Sequence, residues 1–482
     1  MSIKPMRSAL HSKPSWRRWL FAGALALGGC KGCSDSTAPD AGPSVAPQPV
    51  EAASGALCWY PMETGLVAPQ GAVDFLDLGL AAHGDTTWLA WSDRGLVIKS
   101  WKGEGPWEGL PSPDGGAFGA ARPVLSVDEQ GRPLMAWEED QDSGTGLRVA
   151  RLVDGAWVQI GGSLGAYAAQ GTAASDPVLL GGSAPVVVWT ELEPGTGAPS
   201  DDGADDLDDV APEAVPGLTP AERPGQALWA AWWDGNRWDT GKAALVRGSD
   251  LVSFEASAAR DDTGAPWITW VGGSESTETY VRVSRRHEGA WQDVGGSARA
   301  LLKGGGEAHA PRLVSTGEGS MLLVWRDGSG ARARLLAARW SGGKWERVEA
   351  PVVPSPSASI PTGPVMVPGG PGEVWAAWSE AEAGRASTVT LAAWRAGAWH
   401  RRLTGLNREG TSEGVRALTL ARVGPDRAVL AWDEPSGTGT RLHVVGASRC
   451  APGESPAVPP DAAALRPATD AGEQEAAGDD AP

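Results

Sequence analysis

The chain has 482 residues, with 59 acidic and 41 basic side chains and a formal net charge of −18 at neutral pH. This balance argues against a nucleic-acid partner and against electrostatic attachment to anionic lipid, because no basic stripe is available to neutralise phosphates. The aromatic content is dominated by 25 tryptophans, whereas only three tyrosines and four cysteines are present.

The first 29 residues predict a signal peptide that ends just before Cys30. Basic residues precede the apolar run WLFAGALALGG, which is too short for the roughly 20 residues of a membrane span. The order Leu27-Gly28-Gly29-Cys30 resembles the lipobox of bacterial lipoproteins. The resemblance implies a covalent lipid such as palmitate on Cys30, and an outer-membrane anchor that faces either the periplasm or the cell surface. The alternative is an ordinary secretory signal followed by an unrelated cysteine.

Both ends of the chain have compositions typical of segments without fixed structure. Residues 30–55 are rich in Ser, Pro and Ala and are predicted to form a flexible tether; residues 451–482 are predicted to form a disordered, acidic Pro/Ala tail. Cys33 lies in the tether. With Cys30 lipidated, Cys58 and Cys450 remain, and an oxidising compartment favours a disulfide between them.

The body of the chain is repetitive. One unit, residues 121–162, contains four short apolar runs, PVLSV, PLMAW, LRVARLV and AWVQIGG, which are separated by turns rich in Gly and Asp. Runs of four to seven residues bounded by such turns are typical of strands and hairpins rather than helices. The unit therefore predicts a four-stranded antiparallel sheet.

Tryptophans mark the same position in successive units. The second-strand tryptophan occurs seven times, at Trp91, Trp137, Trp189, Trp270, Trp325, Trp378 and Trp432. The fourth-strand tryptophan occurs only six times after the first unit begins, at Trp107, Trp157, Trp238, Trp291, Trp345 and Trp399. Trp59, near the N-terminus, supplies the missing seventh copy.

This arithmetic predicts an all-β fold, a seven-bladed β-propeller of four-stranded antiparallel blades covering residues 56–450. Its last blade takes three strands from the C-terminal end and the fourth from the N-terminal segment around Trp59, so that no sheet edge stays open. Cys58 and Cys450 then flank the break in that blade. Over residues 56–450 the sequence resembles repeat-containing bacterial lipoproteins, and its repeats are similar to those of Asp-box (sialidase-like) and WD-repeat propellers.

An acidic residue stands two positions after the second-strand tryptophan in six of the seven units. These residues are Asp93, Glu139, Glu191, Asp327, Glu380 and Glu434, with Gly272 as the exception. Chain direction places them at one end of the propeller, where they predict a candidate binding face for a cation or a basic partner. The alternative is a set of solvated strand ends paired with arginines such as Arg94, Arg148 and Arg326.

The third unit carries an insertion, residues 193–226, at the same end. Six aspartates between Asp201 and Asp209 could chelate calcium, which takes several oxygen ligands. Their spacing matches no EF-hand loop, so a disordered acidic loop is the alternative, and no cofactor or metal site is predicted.

The evidence for an enzyme is weaker. The turn SVDEQG resembles an Asp-box, but Gly131 and Gly264 follow Asp128 and Asp261 by three residues instead of two. The resemblance to sialidases implies a tyrosine nucleophile, for which only Tyr60, Tyr167 and Tyr280 are available.

A glycosidase that uses two carboxylates stays open, since 59 acids are available. Among the histidines, His309 in GEAHAP, expected on a blade-joining loop, is the one candidate site residue. We expect a lipid-anchored binding or scaffold protein of the cell envelope with a protein or polysaccharide partner. The alternative is a glycan-binding lectin or a sialidase-like glycoside hydrolase.

Overall fold

The computed structural model describes residues 57–62, 77–115, 119–141, 144–165, 172–192, 226–241, 244–249, 254–273, 279–295, 306–329, 332–351, 360–381, 387–404, 414–424, 427–436 and 439–450. They form thirty β-strands and no helix, and therefore contain no helix that could cross a membrane. The predicted signal peptide and tether, most of the insertion (193–225), Tyr167 and the acidic tail lie outside the described residues.

The strands form seven sheets, one for each predicted blade. Blade 1 consists of β2 (Leu78–His83), β3 (Thr86–Ser92), β4 (Leu96–Trp101) and β5 (Glu108–Leu110). Blade 2 consists of β6 (Ala120–Val127), β7 (Pro133–Gln141), β8 (Gly144–Val153) and β9 (Ala156–Gln159). Blade 3 consists of β10 (Ala174–Leu180), β11 (Val186–Leu192), β12 (Gln226–Trp233), β13 (Trp238–Asp239) and β14 (Val246–Ser249).

The next three blades repeat this order with one irregularity. Blade 4 consists of β15 (Ser257–Arg260), β16 (Pro266–Gly272), β17 (Tyr280–His287) and β18 (Ala290–Asp293). Blade 5 consists of β19 (Ala308–Gly317), β20 (Ser320–Asp327), β21 (Arg334–Ser341) and β22 (Lys344–Val348). Blade 6 consists of β23 (Ile360–Pro361), β24 (Val365–Pro368), β25 (Glu373–Ala381), β26 (Thr388–Arg395) and β27 (Ala398–Thr404), and its first strand is split into β23 and β24.

Blade 7 is assembled from both ends of the described chain, as predicted. It consists of β28 (Arg416–Val423), β29 (Arg427–Ser436), β30 (Gly439–Arg449) and β1 (Leu57–Pro61). Strand β1 is antiparallel to β30, with Trp59 opposite Ala447, and Cys58 forms a disulfide with Cys450 across a Cα–Cα distance of 4.9 Å. The bond therefore stands where the other blades have a hairpin turn.

Apolar packing between blades holds the ring together. The described residues form seven buried clusters, and each draws its members from two neighbouring blades. The second strands are buried on both faces; Leu89, Ala90 and Trp91, for example, are 0 to 2 % exposed. Because both faces of a blade are covered by its neighbours, these strands are apolar throughout rather than alternating.

The fourth-strand tryptophans connect adjacent blades through hydrogen bonds. In five blades the indole N–H donates a hydrogen bond to a main-chain carbonyl that follows the fourth strand of the preceding blade; these bonds are Trp107 to Met62, Trp157 to Pro111, Trp238 to Ile160, Trp345 to Val294 and Trp399 to Glu349, at 2.6 to 3.0 Å. Trp291 differs, since its buried indole nitrogen has no hydrogen-bond partner among the described residues. The repeated tryptophans are thus explained by the architecture.

Two hairpins between first and second strands are built around a buried aspartate. The Asp261 carboxylate accepts hydrogen bonds from the main-chain N–H groups of Thr263 and Ala265, and from the Trp267 indole at 2.9 Å. Arg285 pairs with it at 2.8 Å. Asp128 occupies the same place in blade 2 and pairs with Arg132 and Arg151. The turns that resemble an Asp-box therefore have a structural role here.

Candidate functional site

The acidic residues of the predicted binding face are mostly bonded within their own blades. Glu191, Glu380 and Glu434 each accept a hydrogen bond from the indole two residues earlier, at 3.0, 2.6 and 2.8 Å. Glu139 and Asp327 bond to third-strand arginines, Arg148 at 2.5 Å and Arg334 at 3.2 Å.

Burial separates these six residues into two groups. Glu191, Asp327 and Glu434 are 1 to 3 % exposed, which leaves little carboxylate surface for a partner. Asp93, Glu139 and Glu380 are half-buried at the end of the ring. The role of these carboxylates in binding stays a prediction, and the geometry explains most of them as supports of the second-strand ends.

A different group of charged residues lies closer to the axis. The first strands of neighbouring blades contact one another around the whole ring, including β28 with β2, and are therefore innermost. Four of them contain a bulge where two residues lie opposite the second-strand tryptophan. The first residue of each bulge, Arg122, Asp176, Ala310 or Ala417, has a φ between 43 and 54°.

The bulge recurs in several blades, but the side chain at its first position differs from blade to blade. A non-glycine residue in the left-handed region costs roughly 1–2 kcal/mol, and Arg122, Asp176 and Ala310 also precede a proline, which further restricts them. Glu255 of blade 4 has the same conformation, with a φ of 46°. Arg, Asp and Glu therefore occupy this position in blades 2, 3 and 4, and alanine occupies it in blades 5 and 7. The end of the ring where these bulge residues lie on or beside the innermost strands, which we call the axial opening, is therefore chemically asymmetric.

Asp77, Arg122, Glu138 and Asp176, which we call the axial cluster, join blades 1, 2 and 3. One Arg122 nitrogen lies 2.7 Å from an Asp176 oxygen and 3.3 Å from Oε1 of Glu138. The same Glu138 oxygen accepts a hydrogen bond from the main-chain N–H of Asp176 at 2.9 Å. Two carboxyl groups thus contact a single guanidinium, and Asp77 lies close enough for its charge to act on the same group.

The pKa values of the axial cluster reflect its excess of carboxyl groups over guanidinium groups. Burial, with the negative charges of Asp176 and Asp77, raises the pKa of Glu138 to about 7, although Arg122 opposes the shift. Burial also raises the pKa of Asp77. Burial lowers the pKa of Arg122, but the carboxylates around it outweigh that effect and raise it. At neutral pH the cluster therefore holds Glu138 between its acid and its carboxylate forms.

We expect Glu138 to make stability fall as the pH rises. Above pH 4.5, the ordinary pKa of a glutamate, the unfolded chain loses the Glu138 proton, whereas the folded protein keeps it until the pH approaches about 7. The contribution of Glu138 to the free energy of unfolding therefore decreases between pH 4.5 and about 7. A shift of this size corresponds to about 3 kcal/mol. Urea unfolding of the wild type and of Glu138→Gln should therefore diverge in favour of the variant between pH 5 and pH 8. Glu129→Gln, on an exposed hairpin, is the control, and a pH-independent difference for Glu138→Gln would contradict the assignment.

A second group of charges lies at blades 4 and 5. His309 Nδ1 is 3.2 Å from a Glu255 oxygen, its Nε2 is 3.6 Å from Glu307, and the other Glu255 oxygen accepts the main-chain N–H of Ala310. Burial raises the pKa of Glu255, but the hydrogen bonds from His309 and Ala310 outweigh it and hold that pKa below its usual value. His309 is the second residue of strand β19, so its expected position on a blade-joining loop is wrong.

The axial cluster does not have the arrangement of a two-carboxylate glycosidase. Glycosidases place the scissile bond between two carboxyl groups, whereas Arg122 occupies the space between Glu138 and Asp176. The two described tyrosines, Tyr60 and Tyr280, lie on the fourth strand of blade 7 and the third strand of blade 4, away from the innermost strands. A tyrosine nucleophile at the axis would have to come from outside the described residues. Among the described residues no three His, Cys, Asp or Glu side chains are arranged to hold a metal ion.

Sequence reasoning missed the axial cluster. Its signals were the Arg-Pro and Asp-Pro pairs at Arg122 and Asp176, which recur in position with Ala310-Pro311 and Gly363-Pro364, and the acid directly after Trp137. Aligning the repeats on their prolines would have placed Arg122 and Asp176 at equivalent positions of blades 2 and 3, but not Asp77, which no proline follows.

Comparisons with known proteins agree with the fold. No protein-family model matches the chain, and no curated protein matches it in sequence. A polysaccharide lyase, an ulvan lyase solved with a bound saccharide, is 10 % identical with a TM-score of 0.52 over 80 % of this chain and 96 % of that chain. The same kind of enzyme solved without ligand gives 9 % identity and a TM-score of 0.50 over 82 % and 95 %. A Hadza microbial sialidase is 15 % identical with a TM-score of 0.43 over 76 % and 74 %. At these identities the likeness shows the fold alone: the chain is a seven-bladed β-propeller whose structural neighbours include lyase and sialidase propellers.

Proposed function

We propose that this protein is a binding protein of the cell envelope that receives a positively charged partner at the axial opening of its propeller. The observation that carries the proposal is the gathering of unlike charged side chains there, in contrast to the repeated residues elsewhere. The axial cluster has three carboxyl groups for one guanidinium, and at blades 4 and 5 Glu255 and Glu307 flank His309 while the charge of Arg312 acts on Glu255. The local charge is negative, and it stands in a chain of net charge −18.

The carboxylates of this opening are within reach of a ligand. The side chains of Asp176 and Glu307 are 43 and 61 % exposed, and that of Glu255 is 35 % exposed. A partner that brings several lysines or arginines would be steered to this end by the surrounding potential and would pair with these groups. A basic segment of an envelope protein has this chemistry. An anionic polysaccharide does not.

Anchoring through Cys30 belongs to the same proposal. The Leu-Gly-Gly-Cys order supports lipidation, and a disulfide at Cys58 fits an oxidising compartment. Labelled palmitate should enter the wild type and not Cys30→Ser; equal labelling of both would remove the anchor and leave the binding proposal standing.

The experiment uses fluorescent hexalysine as the probe, with hexaglutamate as the opposite charge. We expect Asp77→Asn with Asp176→Asn to weaken hexalysine binding by about tenfold, or 1.4 kcal/mol, at low salt. Asp154→Asn with Glu318→Gln makes the same change in net charge at exposed hairpins of the opposite end and is the matched control. If both double variants lose affinity equally, binding follows net charge and the axial site is refuted; absence of hexalysine binding refutes the proposal as well.

A further inference from the structure

A cavity of about 390 Å³ opens at the outer rim between blades 2 and 3, far from the innermost strands. One wall is the loop from Gly161 to Gly165, which follows the fourth strand of blade 2. The opposite wall is the last hairpin of blade 3, including Asn236 and Trp238. The volume lies in the range of small-ligand sites, roughly 300–1,000 Å³.

The aromatic wall of this cavity is fixed in position. Trp238 is half-buried, and its indole N–H donates to the carbonyl oxygen of Ile160 at 2.8 Å. Its ring meets Trp233 edge to face with centroids 5.3 Å apart. A Cβ on Gly161 would come within 2.4 Å of the Trp238 ring, so the loop closes on the indole only because this residue is glycine. A fixed indole offers a ligand an apolar surface without loss of side-chain entropy.

The rim of the cavity is polar and close to neutral. The exposed side chains of Asn236 and Arg237 and the half-buried Thr240 supply donors and acceptors. The Nε atom of Arg237 lies 3.5 Å from a carboxylate oxygen of Asp234. The Asp239 carboxylate accepts a hydrogen bond from the main-chain N–H of Gly241 at 2.9 Å. An aromatic wall with a few amide, hydroxyl and guanidinium groups matches a sugar ring, which has a C–H face and a rim of hydroxyls.

We propose that this rim cavity binds a neutral pyranose unit, with the sugar against Trp238 and its hydroxyls towards Asn236, Arg237 and Thr240. The site is separate from the axial opening and gives the protein a second contact of a different kind. It does not depend on the function proposed above.

Gly162 offers a way to block the cavity without disturbing the fold. A Cβ built on Gly162 meets nothing within 4 Å, and its φ lies outside the left-handed region. Gly162→Leu therefore places a side chain in the open space beside the cavity. Gly109→Leu, on the exposed fourth strand of blade 1, makes the same change elsewhere and is the matched control.

Saturation-transfer NMR on the full chain, with millimolar methyl glycosides of glucose, galactose, mannose and N-acetylglucosamine, tests the proposal. We expect transfer to at least one of them, with affinity reduced about tenfold by Gly162→Leu and by Asn236→Ala and unchanged by Gly109→Leu. Asp77→Asn with Asp176→Asn should leave this transfer intact. No transfer to any neutral glycoside, transfer only to an added glucuronoside, or transfer insensitive to Gly162→Leu would overturn the inference.

Discussion

Replacing Cys58 and Cys450 together by serine should lower the free energy of unfolding more than any other change away from the blade cores. The bond closes a loop with a sequence separation of 392 residues. Chain entropy sets an upper value of about 6 kcal/mol for such a loop, and measured losses are typically 2–5 kcal/mol. Urea unfolding of the double variant and of the reduced wild type should show this loss.

The loss should be concentrated at β1. That strand is held by its pairing with β30, by burial of Trp59 and by the hydrogen bond from Trp107 to Met62. Limited proteolysis of the variant should therefore cleave near Cys58 before it cleaves any complete blade. Cys33→Ser is the control and should unfold like the wild type. Equal stability of the double variant and this control would mean that β1 is held by packing alone.

Asp261→Asn should destabilise the protein by about 2–4 kcal/mol. The side chain is 3 % exposed, and its carboxylate accepts hydrogen bonds from two main-chain N–H groups and Trp267 while pairing with Arg285. An amide at this place turns an N–H group towards donors and leaves the guanidinium with a weaker partner. Asp262→Asn, one residue further on and exposed, keeps an amide oxygen that can accept the Gly319 N–H, and it should cost well under 1 kcal/mol.

Acid should narrow the difference in stability between Asp261→Asn and the wild type. Burial favours the protonated form of Asp261, but the hydrogen bonds from Thr263, Trp267 and Ala265 and the charge of Arg285 outweigh it and hold its pKa below the usual value. The ionised Asp261 carboxylate therefore stabilises the fold at any pH above its unfolded-state pKa. This stabilisation is lost as the pH falls through its lower folded-state pKa. Unfolding of the two proteins from pH 7 down to pH 2 measures this, and a difference that does not narrow as the pH falls below the unfolded-state pKa would contradict the ionic explanation.

Most of the architecture follows from spacing alone. The intervals between second-strand tryptophans gave seven blades, and the absence of a seventh fourth-strand tryptophan after Trp107 pointed to Trp59, which the structure places opposite Ala447. These predictions succeeded because each repeat has the same packing requirement on both faces of its second strand. Exceptions to the repeat were missed for the same reason. Blade 3 has a fourth strand of only two residues, and β14 pairs with β12 at its other end.

The axial cluster could not be predicted from the spacing of the repeats. Asp77 and Asp176 are about a hundred residues apart in sequence and both act on Arg122 only because the first strands of blades 1, 2 and 3 lie side by side. Which arginine bonds to a given carboxylate also depends on how the strands are paired. Asp327 bonds to Arg334 on the next strand instead of the adjacent Arg326, because neighbouring residues on a strand point to opposite faces. Contacts of this kind need the register between strands, which a repeat pattern does not supply.

The pairing of β1 with β30 sets an order of events during synthesis. The strand made first waits for its partner until nearly 400 further residues have been translated, so the ring stays open, with an unsealed edge, through the whole of elongation. Final closure and oxidation therefore come only after the last blade has been translated.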